Sequence, residues 1–372
     1  MTAAAVLADA YDLVVLDLDG VVYLVDRPVP GAVDAVAALR RRGRAVVFAT
    51  NNASRRAAEV AALLAGMGVA AQPQEVLTSA RATAETVARS HPGGTRVLVV
   101  GADALRAEVR DAGLVPVARA DEGPRLVVQG YGAQVGWADL AEACVAVRAG
   151  AEWVATNADA TLPSPRGPLP GNGALVAALR TALGRGPDLV VGKPAPGLFT
   201  AAARQAGAAR PLVVGDRLDT DIAGARRAGM DSLLVLTGVS GPAELLAAAA
   251  SHRPTYLATD LSGLFLVEDD SRVPVLPPGA DRVAVAGWLA RRAGRVVELA
   301  GAGRPVDALR AACALAWAGG PGTGDPAAGG AAPGGPAAGG LVERVVATSP
   351  DAEAALRGLG LSGAPPVAAP AR

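Results

Sequence analysis

Two carboxylates one residue apart, Asp17 and Asp19, stand at the end of the apolar run Leu13-Val14-Val15-Leu16 and are followed by Gly20. Alternation along an extended chain puts both on one side, about 7 Å apart along the backbone at ~3.3 Å per residue. Such a pair can hold a divalent metal or divide nucleophilic and acid/base duties between its members; the same residue types also serve as turn or cap groups after a strand. Three further apolar runs end in polar groups. The run 45–49 leads into Thr50, Asn51 and Asn52; 189–191 into Gly192 and Lys193; and 212–214 into Gly215 and Asp216, with Asp219 and Asp221 close behind. Lys193 is the only lysine among 35 Lys and Arg residues. Its survival points to a position that needs a compact ammonium rather than a planar fork, the alternative being a surface charge before Pro194.

The elements that must position these groups alternate between buried strands and amphipathic helices. After the opening strand, a helix begins at 28–31 and runs to Arg42, with Val33, Val36, Ala37 and Leu39 on one face. A second strand, 45–49, and a helix, 55–65, follow. From about Ser79 the alternation restarts: helix 80–89, strand 96–100, helix 104–112, strand 126–129, helix 137–149, strand 153–155 and helix 174–183. The first pattern resumes at 189–191 and continues through helix 198–206, strand 212–214, helix 222–228, strand 232–236 and a segment near Tyr256. The fold class expected is α/β: a doubly wound, parallel-sheet, Rossmann-like core built from 1–78 and 188–267 and interrupted by an α/β insertion over 79–187. The insertion carries a long polar loop, 156–173, stiffened by Pro163, Pro165, Pro168 and Pro170, which suits either recognition or a rigid connection.

Residues 268–372 read as a C-terminal extension. It contains a linker at 274–278, a helical stretch around Trp288 and a helix over 307–318 with Leu309, Ala312, Cys313 and Ala316 on one side. A flexible Gly/Ala/Pro tract follows at 318–340, then a short strand and helix within 341–361. No catalytic constellation stands out in this region.

A formal net charge of +0 argues against dominant attraction to nucleic acid or an anionic membrane. The first ten residues carry no basic start with an apolar core, and no apolar run approaches roughly 18 residues, so a cytoplasmic protein is expected. Cys144 and Cys313 are far apart and read as free buried thiols. The two histidines, His91 and His252, lie near prolines in loop-like stretches, which disfavours His-based triads and His-rich zinc sites. In an open parallel sheet, ligands sit outside the carboxyl ends of the strands, so the polar strand ends converge on one crevice. Carboxylates that attract Mg²⁺, an ammonium that neutralises phosphate oxygens, and Thr50 with backbone N–H groups for the remaining oxygens make an inventory suited to phosphoryl transfer.

These residues resemble the haloacid dehalogenase superfamily of aspartate-nucleophile phosphatases. Its four motifs stand in order as Asp17-Leu18-Asp19-Gly20, Thr50 with Asn51, Lys193, and Gly215-Asp216 through Asp221. The insertion is similar to the α/β cap of the type IIA subfamily, and the forms Thr50-Asn51-Asn52, Gly192-Lys193-Pro194 and Gly215-Asp216-Arg217-Leu218-Asp219-Thr220-Asp221 match that subfamily over about residues 10 to 265. The resemblance implies that Asp17 attacks phosphorus to form an aspartyl-phosphate, while Asp19 protonates the leaving alkoxide and then activates water. It implies Mg²⁺ held by Asp17, the backbone carbonyl of Asp19 and Asp216, with Asp221 orienting a metal-bound water or capping a helix and Asp219 acting as a cap. Thr50, Asn51, Asn52 and Lys193 would bind phosphate. Asn157, Asp159 and Asn172 are candidates for contacting the leaving group. The extension looks like the acetyltransferase-related one of some bacterial glycerol-3-phosphate phosphatases, without a convincing pyrophosphate loop. The partner expected is a small phosphorylated metabolite, glycerol 3-phosphate first, with phosphoglycolate, pyridoxal phosphate or nitrophenyl phosphate as alternatives. A module phosphorylated on Asp17 without turnover and a scaffold whose extension binds a partner, including a second copy in a homo-oligomer, are the readings from other classes.

Overall fold

The computed structural model describes residues 5–162, 164, 166–318 and 342–362. The tract expected over 318–340 lies, beyond Ala318, outside the described residues, as do Pro163 and Pro165.

Four-residue Leu13–Leu16 is central because it is apolar on both faces. It pairs in parallel with Pro211–Gly215 on one side and Ala45–Thr50 on the other. The sheet runs Tyr256–Ala258, Asp231–Val235, Pro211–Gly215, Leu13–Leu16, Ala45–Thr50, Val76–Thr78. Val14 and Leu16 enter one core with Val36, Leu39 and Leu64; Leu13 and Val15 enter the opposite one with Val47, Leu198 and Phe199. This two-residue alternation is what a strand buried on both faces requires.

A second parallel sheet runs Leu189–Val190, Glu152–Ala155, Leu126–Gln129, Arg96–Val100, Val115–Val117. One face, through Val97, Val99, Leu126, Val128 and Val154, shares a core with the first sheet; the other, through Leu98, Val100, Val127 and Trp153, packs on the helices Trp137–Arg148 and Asn172–Leu183. One expectation is corrected here. The strand at 189–190 pairs with Glu152–Ala155, so it belongs to the second sheet and not the first. Val76–Thr78 adds an edge strand to the first sheet.

The extension holds a further sheet of Arg282–Val285, Trp288–Ala293 and Val296–Gly301, paired antiparallel, with Arg344–Ala347 parallel to the third. The helical stretch expected around Trp288 is thus a strand. Ala286 and Gly287 take positive φ of 45° and 87°, closing a tight two-residue hairpin, and Trp288 and Ala290 alternate inward from it. The helix Pro305–Ala318 forms as expected but is buried on every side from Val306 to Leu315, because it lies between this sheet and the first one. Both cysteines are free; Cys313 is buried and Cys144 half-buried. No described helix is long and apolar enough to cross a membrane.

Candidate active site

Register brings the motif residues together. Leu16 stands opposite Val214 and Phe48, so the next positions along the three strands, Asp17, Gly215 and Ala49, are also neighbours, and the Asp17 N–H donates to the Val214 carbonyl at 2.9 Å. Asp216 and Thr50 follow one residue later. Lys193 arrives from the second sheet. Its ammonium donates to Asp17 Oδ1, to Asp221 Oδ1 at 2.7 Å and to the Ala49 carbonyl at 3.3 Å, with only 3% of the side chain exposed. One carboxylate oxygen from each of Asp17, Asp216 and Asp221 lies within 4.8 Å of the others.

The turn after Gly215 explains how two acids five residues apart, Asp216 and Asp221, reach one point. A single π-helical turn, Leu218–Ile222, sends the N–H groups of Asp221 and Ile222 back to the Arg217 carbonyl, both at 3.1 Å. Asp221 then accepts from the Arg217 N–H through Oδ2 at 3.2 Å. Asp219, expected to cap a helix, instead accepts the Arg217 guanidinium through both oxygens, at 3.0 and 2.7 Å. The planar fork of Arg217 matches a carboxylate better than a single N–H does. Asp216 is 1% exposed; Oδ2 accepts the Val239 N–H at 2.7 Å, whereas Oδ1 is buried with no hydrogen-bond partner. A Cβ on Gly20, whose φ is +86°, would lie 2.5 Å from Asp216 Oδ2, and one on Gly238 1.9 Å from it. Those two positions need glycine for the carboxylate to fit.

Two family models match this chain: haloacid dehalogenase-like hydrolase over residues 14–115, and HAD-hydrolase-like over 190–264. D-glycerol 3-phosphate phosphatase of Mycobacterium tuberculosis is 48% identical over 281 residues, 76% of this chain and 78% of that protein. The chain belongs to the haloacid dehalogenase-like hydrolases. An acid sugar phosphatase of Staphylococcus saprophyticus is 36% identical over 254 residues, 68% of this chain and 96% of its own. Among solved structures, glycerol phosphate phosphatase of M. tuberculosis in complex with magnesium superposes with a TM-score of 0.83 and 41% identity, over 96% of this chain and 99% of that one. The 4-nitrophenylphosphatase of Thermotoga maritima gives 0.65 and 33%, over 69% and 97%. The first likeness therefore takes in the C-terminal sheet, and the second nearly exhausts its own chain without covering all of this one.

Within this haloacid dehalogenase-like hydrolase, charge is balanced around Lys193. Burial alone would depress its ammonium, but Asp17 and Asp221 hold it well above its ordinary value. Burial raises Asp17, with Asp221 and Asp216 adding to the rise and Lys193 opposing it. Asp19 is half-buried and raised by burial against the pull of Lys193, Arg55 and Tyr23, the direction a proton donor needs. Thr50, 4% exposed, accepts the Asn52 N–H at 3.1 Å, and the Asn52 side chain closes a turn on the Ser54 N–H at 2.7 Å.

The polar residues of the second unit divide. Asn157 and Asn172 are buried and spend their amide N–H groups inside the protein, Asn157 on the Asn51 carbonyl at 2.7 Å and Asn172 on the Asn157 carbonyl at 2.7 Å. Asp159 is half-buried and accepts the Asn51 side-chain amide at 3.0 and 3.2 Å. Sequence reasoning passed over the segment Thr237–Ser240. Thr237 donates its hydroxyl to the Gly20 carbonyl, Val239 donates to Asp216, and Ser240 accepts the Leu218 N–H through its hydroxyl at 3.1 Å. The signal available was the run Thr237-Gly238-Val239-Ser240-Gly241 directly after an apolar strand, the same arrangement as in the four recognised motifs.

Proposed function

We propose that this enzyme, a phosphatase of the haloacid dehalogenase-like family, hydrolyses glycerol 3-phosphate or a closely similar small phosphomonoester with Mg²⁺. The observation that carries the reading is the buried, unpartnered Oδ1 of Asp216, a residue whose carboxylate comes within 4.8 Å of that of Asp17 while Lys193 sits on Asp17. A carboxylate oxygen stripped of water and given no donor fits a hard cation, for which oxygen ligands are preferred. Asp17, Asp216 and the backbone carbonyl of Asp19 would hold Mg²⁺. Asp221 has one oxygen on Lys193 and the other on the Arg217 N–H, which suits a residue that acts on the site from behind. When bound, Mg²⁺ neutralises phosphate charge and so eases the approach of an anionic nucleophile.

The chain's own groups then supply the steps. Asp17 forms a bond to phosphorus as the ester P–O bond breaks, and the proton of Asp19 passes to the departing alkoxide oxygen. In the second half Asp19 takes a proton from water as the water oxygen attacks phosphorus, which frees Asp17 and releases inorganic phosphate. Lys193 and Thr50, with the backbone N–H of 51, hold the phosphate oxygens. Asn157 and Asn172, whose amides are committed to backbone, shape the loop, and Asp159 is the polyol-facing candidate. The M. tuberculosis relatives are named for glycerol phosphate, and the solved one matches over 96% of this chain; both support that substrate over the alternatives. We also place the boundary between core and cap at 192–193 rather than 188, following the pairing of the strand at 189–190. A reducing, cytoplasmic setting suits the two free cysteines.

A phosphate-release panel of small phosphomonoesters with Mg²⁺ tests the reading. Glycerol 3-phosphate is expected to turn over fastest and repeatedly, and Asp17→Asn to lose at least about 10³-fold in rate, as removal of a covalent nucleophile does. Equal rates from the two proteins would take Asp17 out of the chemistry.

A further inference from the structure

Lys193 is carried by a strand of one sheet and used at the end of another. The two residues Leu189–Val190 pair with Glu152–Ala155 in the second sheet, yet the Lys193 ammonium sits on Asp17 at the end of the first. Something must fix the backbone at 193 to the first sheet. The Asn51 carboxamide does so in both directions: Oδ1 accepts the Lys193 N–H at 2.8 Å and Nδ2 donates to the Lys193 carbonyl at 3.0 Å. The same amide group reaches both oxygens of Asp159. Behind it, the Asn51 carbonyl accepts from Asn157 Nδ2 at 2.7 Å and from the Ser79 hydroxyl at 2.6 Å. The approach is tight. A Cβ on Gly192 would lie 2.7 Å from Asn51 Oδ1 and 2.5 Å from the Thr156 carbonyl.

Resting on the reading of Lys193 as the phosphate-neutralising cation, we propose that Asn51 is a positioning residue: its side chain clamps the main chain of Lys193 so that the ammonium is set against Asp17, and its link to Asp159 makes that setting depend on the 156–160 loop. Only a carboxamide meets the demand. Aspartate of the same shape keeps the acceptor for the Lys193 N–H, but it has no donor for the carbonyl and would face the Asp159 carboxylate. A residue that merely held phosphate through its backbone N–H would tolerate that exchange.

The test uses the full-length Mg²⁺-loaded enzyme with glycerol 3-phosphate and nitrophenyl phosphate, comparing Asn51→Asp, Asn51→Ala and the pair Asn51→Asp with Asp159→Asn. Amide hydrogen exchange at Lys193 is followed alongside kcat and KM, and thermal unfolding reports the fold. Displacing a reacting group by about 1 Å can lower rates by about 10²-fold, so both single variants are expected to lose about 10- to 100-fold in kcat with KM within about threefold. Exchange at Lys193 should quicken in Asn51→Ala, which removes the acceptor of its N–H, and less in Asn51→Asp, which keeps it. The pair restores a hydrogen bond between positions 51 and 159 with the roles reversed, and should regain about tenfold over Asn51→Asp. Gly192→Ala, which pushes the clamp apart without altering Asn51, should act in the same direction and serves where an Asn51 variant does not fold. A kcat within about twofold of the parent in both single variants, a rise in KM alone, or unchanged exchange at Lys193 in Asn51→Ala would overturn the proposal. If the parent releases no phosphate from any ester, the hydrolase reading fails, and exchange at Lys193 still decides whether the clamp exists.

Discussion

Replacing Asp216 by Asn should make the metal-free protein more stable, and the gain should grow with pH. Burial pushes this carboxyl up to about 7, Asp221 adding to the rise while the Val239 N–H and Lys193 oppose it; its ordinary value is 3.8. A carboxyl raised on folding is most at ease protonated. Below about pH 3.8 it carries no penalty; between there and about 7 the unfolded chain ionises first and the folded state loses ground; above about 7 the loss is complete. At about 1.4 kcal/mol per tenfold, the penalty comes to about 2 kcal/mol at pH 5 and about 4 kcal/mol at pH 8 as upper limits. Asn keeps an oxygen for the Val239 N–H and removes the charge, so it escapes that penalty. Urea unfolding in excess chelator, run on parent and variant at pH 5 and pH 8, reads the difference between them directly. Added Mg²⁺ should stabilise the parent and leave the variant where it was, since ligands that bind only the folded state raise its stability by mass action. A variant less stable than the parent at pH 8, or a difference that does not change between the two pH values, would refute the argument that Asp216 is a charge held at a cost for a cation.

Asp19→Asn should separate the two half-reactions by leaving group. Nitrophenolate departs without a proton and glycerol does not, so loss on the alkyl ester should reach about 10²- to 10⁴-fold. On nitrophenyl phosphate a rapid burst of nitrophenolate, one per enzyme, should precede slow turnover; equal losses with no burst would remove Asp19 as the acid. Away from the chemistry, Val25 takes a φ of 59° at the tip of the hairpin Tyr23–Leu24/Arg27–Pro28 and is 53% exposed. A β-branched residue is strained there and buries little, so Val25→Gly should raise stability by about 1 kcal/mol in urea unfolding, where a loss would show the strain to be absent.

The polar strand ends were legible because each rests on a local pattern: an apolar run, then a charge or a glycine. What the pattern could not reveal was which sheet a run joins. The strand at 189–190 has the same character as those at 212–214 or 126–129, and parallel pairing is made with residues far away in the chain, Leu189 with Val154. Lys193 still meets Asp17, since it lies beyond the strand and its long side chain spans the gap. The environment of Asn157 and Asn172 was hidden for a different reason. Their type suggests a solvated loop, but each is buried where a turn leaves a backbone carbonyl in need of a donor, and that need exists only in the folded chain. Asp219 was read by its place before a helix, whereas the neighbouring Arg217 decides its partner. Around Trp288, alanine and arginine obscure the alternation, and only the turn at Ala286-Gly287 marks a hairpin.

The extension also bears on the site, through packing. Leu218 and Ile222, which anchor the turn that carries Asp219 and Asp221, share one hydrophobic cluster with Leu234, Leu257, Trp288, Leu309 and Cys313. Arg253 ties the contact from the first sheet's side: its guanidinium stacks 5.4 Å from the Trp317 ring and donates to the Trp317 carbonyl, and Trp317 Nε1 donates to the Leu245 carbonyl at 3.3 Å. The helix Pro305–Ala318 thus lies beside the edge strand Tyr256–Ala258, where an open sheet would otherwise meet water. The chemistry itself does not require this cover, because the Thermotoga phosphatase matches 97% of its own length on 69% of this chain. Once a chain has built Leu218 and Ile222 into a cluster shared with an added helix, however, removing that helix exposes apolar surface beneath the turn that positions Asp221. In this protein the extension and the fourth motif are parts of one packed unit, with Leu309 and Trp288 in the same core as the residues that anchor the turn carrying Asp221.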